Sequence, residues 1–96
     1  MLTLSDLEVR VVVFTLQNNQ LQVLLHPIHK HEQWMLPGCG LFENASLESA
    51  AASCVEGLTG LKEVFLEQLY TYSDPGRHPQ GRVVSVVYFA LLAAGW

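Results

Sequence analysis

Two runs of β-branched and apolar residues near opposite ends of the chain do most to limit its fold. Leu7 to Gln17, LEVRVVVFTLQ, is apolar on both of its alternating faces, as a central strand should be. Arg82 to Leu92, RVVSVVYFALL, has the same covered-strand character. In a chain of 96 residues two such strands leave room for one domain with a modest core. Hydrophobic residues make up 50% of the chain and charged residues 15%, an apolar-rich balance for a soluble domain. That balance fits a sheet with both faces covered, or an apolar surface hidden by more chain.

The remaining elements follow from local chemistry. Asn18-Asn19 tolerates positive φ and makes a hairpin turn, so Leu21 to His26 returns as the partner strand. Pro27 ends that strand, Ile28 to Gln33 reads as a polar loop, and Trp34 to Leu36 is a short strand stopped by Pro37-Gly38. Ser46 or Asn44 serves as the N-cap of a helix. Leu47, Ala51, Cys54, Val55 and Leu58 share one face of that helix at three- and four-residue steps. Gly60 is a C′ residue, and Gly57 inside the helix weakens it by about 1 kcal/mol relative to Ala. Val64 to Tyr72 reads as a strand, and the prolines and glycines of Ser73 to Gly81 make a loop. The order β-β-β-α-β-β over residues 1–96 describes a single mixed α/β domain.

Charge and composition exclude several function classes. The net charge is −4 and the five Lys and Arg residues form no run, which argues against nucleic-acid binding through this segment. No apolar stretch reaches membrane-spanning length, and the N-terminus lacks the pattern of a signal peptide. Cys39 and Cys54 are too few for a disulfide scaffold, so the expectation is a cytoplasmic protein with reduced thiols and no membrane partner. Neither cysteine has the electropositive setting of a nucleophile, and both read as packing or turn residues. His26, His29 and His31 straddle Pro27 without the fixed scaffold a tetrahedral zinc site needs, and read as a solvated loop. Trp34 and Tyr70 could stack a base, but aromatics in strands are more often core.

A further pattern spans the chain. Trp34-Met35-Leu36-Pro37-Gly38, then Ser46-Leu47-Glu48, Ala50-Ala51 and Thr59-Gly60-Leu61, resembles the segment that brackets the Nudix box in the Nudix hydrolase superfamily. The resemblance implies an α/β/α sandwich with a mixed sheet, here ending after the last strand present. In the family the box helix carries Mg²⁺ ligands that neutralise a diphosphate while water attacks it. Counting back from Gly60, the glutamate positions fall on Leu58, Gly57, Cys54 and Ala45, the arginine on Ser53, and the opening glycine on Cys39. Glu48 and Glu56 are the acids left as candidate catalytic groups and metal ligands, with Glu43 also nearby. Mg²⁺ is implied only for an active hydrolase.

Phe65 to Tyr72, Asp74-Pro75-Gly76-Arg77 and Gly81 to Val86 narrow the resemblance to one branch. It holds ADP-ribose-type Nudix enzymes and the Nudix-related transcriptional regulators of NAD metabolism, in which a Nudix domain with a degenerate box senses ADP-ribose and a winged-helix domain binds DNA. His78 and Gln80 depart from the acidic and basic residues of that pattern. The winged-helix part of that pattern is absent from this sequence, and the expectation is a Nudix domain cut short before its last strands and closing helix. The candidate ligand contacts are Arg82 and Arg77, whose guanidinium forks match phosphate, together with His26, at a strand end where the family often has a cationic or polar residue. The expected function is nucleotide recognition with weak or absent hydrolysis. The alternatives are an active Mg²⁺-dependent hydrolase of the ADP-ribose pyrophosphatase type, and a ligand-free fragment that self-associates, for instance as a homodimer.

Overall fold

The computed structural model describes residues 6–28, 33–39, 44–77 and 81–92, with the backbone alone at residues 6, 26–28, 33–35 and 39. The two β-branched runs lie side by side. β1 (Asp6–Gln17) pairs in parallel with β7 (Val83–Leu91) from Asp6 opposite Val83 to Phe14 opposite Leu91. Asn18 and Asn19 take φ of 52° and 61°, the left-handed pair that a two-residue hairpin requires. They return the chain into β2 (Gln20–Val23), antiparallel to β1.

On the far side of β7 runs β6 (Phe65–Tyr72), antiparallel, with a bulge between Gln68 and Tyr70. The order is β2-β1-β7-β6, and the two-residue β5 (Gly38–Cys39) pairs with the start of β1. The sheet therefore mixes parallel and antiparallel neighbours, as an α/β domain of this kind requires.

One expectation changes between β2 and β5. The strand expected over Leu21 to His26 breaks after Val23, and a separate pair forms from β3 (His26–Ile28) and β4 (Gln33–Met35). Pro27 lies inside β3 opposite Trp34 instead of ending a strand. A two-stranded ribbon leaves one side of each strand free of ladder bonds, so it accepts a residue without an N–H.

The single described helix, α1 (Leu47–Thr59), is closed at both ends by its own sequence. The Ser46 side chain accepts a bond from the Ser49 amide at 3.0 Å. At the other end Gly60 has φ 76° and its N–H donates to the Glu56 carbonyl at 2.7 Å. Ala50, Ala51, Cys54 and Val55 are buried against Val9, Val11 and Val13 of β1 and Val86, Tyr88 and Ala90 of β7, with Leu47 and Leu58 at the margin. Strand alternation sends Glu8, Arg10, Val12 and Phe14, and their neighbours Ser85, Val87, Phe89 and Leu91, to the opposite face. Among the described residues no helix covers that face, and Leu91 and Phe65 are 48% and 55% exposed. Of the expected sandwich, the sheet and one helical layer are thus described.

Candidate functional site

The sheet face turned away from α1 ends in a polar cluster that strand register assembles. The parallel ladder sets Glu8 beside Ser85 and Arg10 beside Val87. β6 brings Tyr72 opposite Ser85, and β5 brings Gly38 opposite Arg10. Arg10 donates through Nη1 to the Leu36 carbonyl at 2.9 Å and through Nη2 to Glu8 Oε2 at 2.9 Å. A Cβ on Gly38 would lie 2.6 Å from Arg10 Nη1, so the guanidinium keeps this position only beside a residue without a side chain. Buried Ser85 donates its hydroxyl to Glu8 Oε1 and accepts from Arg77 Nη2 at 2.9 Å. Arg77 Nη2 also donates to the carbonyls of Val83 at 2.9 Å and Tyr72 at 3.2 Å. Its guanidinium carbon sits 5.9 Å from the centre of the Tyr72 ring, within cation–π range.

These groups line a cavity of about 490 Å³, with Leu36 and Val87 as apolar wall, a volume in the range of small-molecule sites. The two arginines have different tasks. Arg10 is a strut between a backbone carbonyl and a carboxylate. Arg77 spends Nη2 on the protein, while among the described residues its Nη1 and Nε make no hydrogen bond. A guanidinium held along one edge presents the other to an anion with little further loss of rotamer freedom.

The sequence candidates separate into distinct places. Arg77 is in the cavity; Arg82 is exposed at the entry to β7 and does not line it. The backbone of His26 opens β3 opposite Met35, and its side chain lies outside the described residues. So do Glu43, His29, His31, His78 and Gln80, and the side chains of Trp34 and Cys39. Tyr70 is 60% exposed on β6, so it is not the core aromatic expected of it; it packs edge-on against Tyr72 at 4.9 Å. Glu48 and Glu56 share a separate hollow of about 270 Å³ beside α1, where Glu56 faces Lys62 at 3.8 Å. The two acids line one hollow eight residues apart on α1, and neither lines the arginine cavity.

The box positions themselves offer Mg²⁺ a poor donor set. Cys54 is 4% exposed within the core, Leu58 packs against that core, and Gly57 has no side chain. Mg²⁺ takes oxygen ligands in near-octahedral geometry, and among the described residues no group of three or more His, Cys, Asp or Glu could hold a metal. Cys54 is disulfide-bonded, which overturns the expectation of reduced thiols. The residues that sequence reasoning missed are Glu8, Arg10 and Ser85. Their signal was present: Glu8 and Arg10 are two apart, so they share one face of an otherwise apolar strand.

No protein-family model matches the chain. The ADPR responsive transcriptional repressor NtrR of Acinetobacter baylyi is 33% identical over 89 residues, which cover 88% of this chain and 36% of that protein. The NUDIX domain of Shewanella oneidensis NrtR, solved as a complex with ADP ribose, superposes with a TM-score of 0.82 at 32% identity, over 96% of this chain and 63% of that one. The chain is a Nudix domain related to the NrtR-type regulators. A MutT/nudix family protein from Enterococcus faecalis gives a TM-score of 0.81 at 33% identity, over 92% of this chain and 37% of its own. This Nudix domain thus spans little more than a third of the curated relative's length. Among the described residues no helix is long and apolar enough to cross a membrane.

Proposed function

We propose that this chain recognises ADP-ribose or a related nucleoside diphosphate derivative without appreciable hydrolysis, as the sensing part of a cytoplasmic transcriptional regulator. The observation that carries the reading is Arg77, which lines the cavity and is bound through Nη2 to Ser85, Val83 and Tyr72, while among the described residues its Nη1 and Nε make no hydrogen bond. A diphosphate accepts from that free edge by charge-assisted bonds. Leu36, Val87 and the Tyr72 ring give apolar surface to a base or sugar face. Arg82 and His26 remain proposed as further anion contacts. The complex of the Shewanella NUDIX domain with ADP ribose and the ADPR response of the Acinetobacter repressor support this ligand class. No nucleic-acid binding is assigned to this segment in this reading.

The absence of hydrolysis rests on the residues at the box: a bonded cysteine, a glycine and a leucine stand at the metal-ligand positions. The second reading, a Mg²⁺-dependent hydrolase, draws on the shared hollow of Glu48 and Glu56. One experiment separates the two. ADP-ribose is titrated calorimetrically into the protein with and without Mg²⁺, and the mixture is then analysed for AMP and ribose phosphate. Saturable binding with intact ligand supports the sensor. Turnover that needs Mg²⁺ and is lost in Glu48→Gln or Glu56→Gln supports the hydrolase.

A further inference from the structure

Ser85 stands between two groups of opposite hydrogen-bonding character. It is 3% exposed on β7, beside Glu8 of β1 and opposite Tyr72 of β6. Its hydroxyl is bonded to Glu8 Oε1 on one side and to Arg77 Nη2, at 2.9 Å, on the other. An ionised carboxylate only accepts and a guanidinium only donates. The single hydroxyl proton therefore belongs on the Glu8 side, and a lone pair is left for Arg77. Glu8 is held in its turn. Its Oε2 accepts from Arg10 Nη2 at 2.9 Å, and Arg10 Nη1 donates to the Leu36 carbonyl at 2.9 Å.

We propose that Ser85 and Glu8 are positioning residues for Arg77: the Glu8 carboxylate fixes the direction of the Ser85 hydroxyl, and the hydroxyl fixes the guanidinium that meets the phosphates. The proposal rests on the functional reading above, since the phosphates are those of the ligand named there. Arg77 Nη2 has three acceptors, the carbonyls of Tyr72 and Val83 and the Ser85 hydroxyl. The two carbonyls belong to residues that the strand ladders hold, whatever side chains they carry. Ser85 is the acceptor that side-chain chemistry supplies. The position needs a donor toward Glu8 and an acceptor toward Arg77 in one small group, and a hydroxyl is both.

The gain is one of order and of charge. Arg77 is an exposed residue on the segment that joins β6 to β7, where an unheld arginine samples many rotamers. Fixing it before the ligand arrives removes that ordering cost from binding. Glu8 meets the charge of Arg10, while among the described residues Arg77 is in no ion pair. The carboxylate thus reaches Arg77 only through a neutral hydroxyl, which orients the guanidinium and leaves its charge for an anion.

The test uses the whole chain and two readouts. In the ligand-free protein, nitrogen relaxation of the Arg77 Nε–H should give an order parameter near the rigid value of about 0.85 in the wild type and below about 0.6 in Ser85→Ala. Glu8→Gln offers the serine an amide donor where it had an acceptor, and should loosen Arg77 in the same way. That variant also unpairs Arg10, so it is read by the mobility of Arg77 and not by affinity. A rigid Arg77 in Ser85→Ala overturns the role of Ser85, and a rigid Arg77 in Glu8→Gln overturns that of Glu8. In calorimetric titration, ADP-ribose should bind Ser85→Ala about three- to tenfold more weakly than the wild type. Adding Ser85→Ala to Arg77→Gln should bring no further loss; losses that add overturn action through Arg77. Absence of ADP-ribose binding in the wild type overturns the functional reading, while the relaxation of Arg77 still decides whether Ser85 and Glu8 hold it.

Discussion

Gly38 and Arg10 are packed so closely that a side chain at Gly38 makes Arg10 move. A methyl group on Gly38 would sit 2.6 Å from Nη1 and 2.9 Å from Cζ of Arg10, so Gly38→Ala must push the guanidinium off the Leu36 carbonyl and Glu8. An overpacked site of this kind costs about 1–3 kcal/mol, read as a lower midpoint in thermal or urea unfolding. An unchanged midpoint would show that the guanidinium moves freely. At this scale the sequence was legible where a loop signals itself. Arg77 follows Asp74-Pro75-Gly76 and stood out as a candidate. Glu8 and Arg10 did not, because they lie in a strand whose apolar density drew attention to its core, and their partner Ser85 lies 77 residues away from Glu8.

The helix and the first hairpin were readable because their determinants are local. Ser46 caps α1 and Gly60 closes it in the left-handed region, as their residue types imply. Ser46→Ala should cost about 1 kcal/mol. Gly57→Ala should do the reverse: nothing lies within 4 Å of a Cβ at Gly57, so the gain in helix propensity, up to about 1 kcal/mol, meets no clash. Both are read from denaturation midpoints, and a destabilised Gly57→Ala would refute the packing described here. The short strands were not readable. β5 has two residues and β3 and β4 three each, lengths at which pairing depends on tertiary neighbours more than on propensity.

For the molecule as a whole, the decisive feature is the parallel pairing of β1 with β7, which joins the first and last long strands and forms the cavity at one end of their open face. No local pattern announces such a pairing; the apolar density of the two runs named the partners without naming their register. That open face also carries Phe65, Leu91, Leu16 and Val23 at 40% exposure or more, a contiguous apolar surface of the sort that associates. We propose that this surface, uncovered among the described residues, associates as a homodimer; the sedimentation coefficient should then rise with protein concentration, and Leu91→Lys together with Phe65→Lys should hold the protein monomeric. A wild-type coefficient independent of concentration would count against it.

The claim on which the rest depends is that the free edge of Arg77 reads the phosphates of the ligand. It is tested most directly by calorimetric titration of ADP-ribose into the wild type and into Arg77→Gln. Loss of a charged hydrogen-bond donor is worth about 1.5–3 kcal/mol, so affinity should fall by roughly ten- to a hundredfold, with a lower unfolding midpoint as well, because Nη2 also bonds Tyr72, Val83 and Ser85. Equal affinity in the two proteins, or no binding by the wild type, would contradict the account.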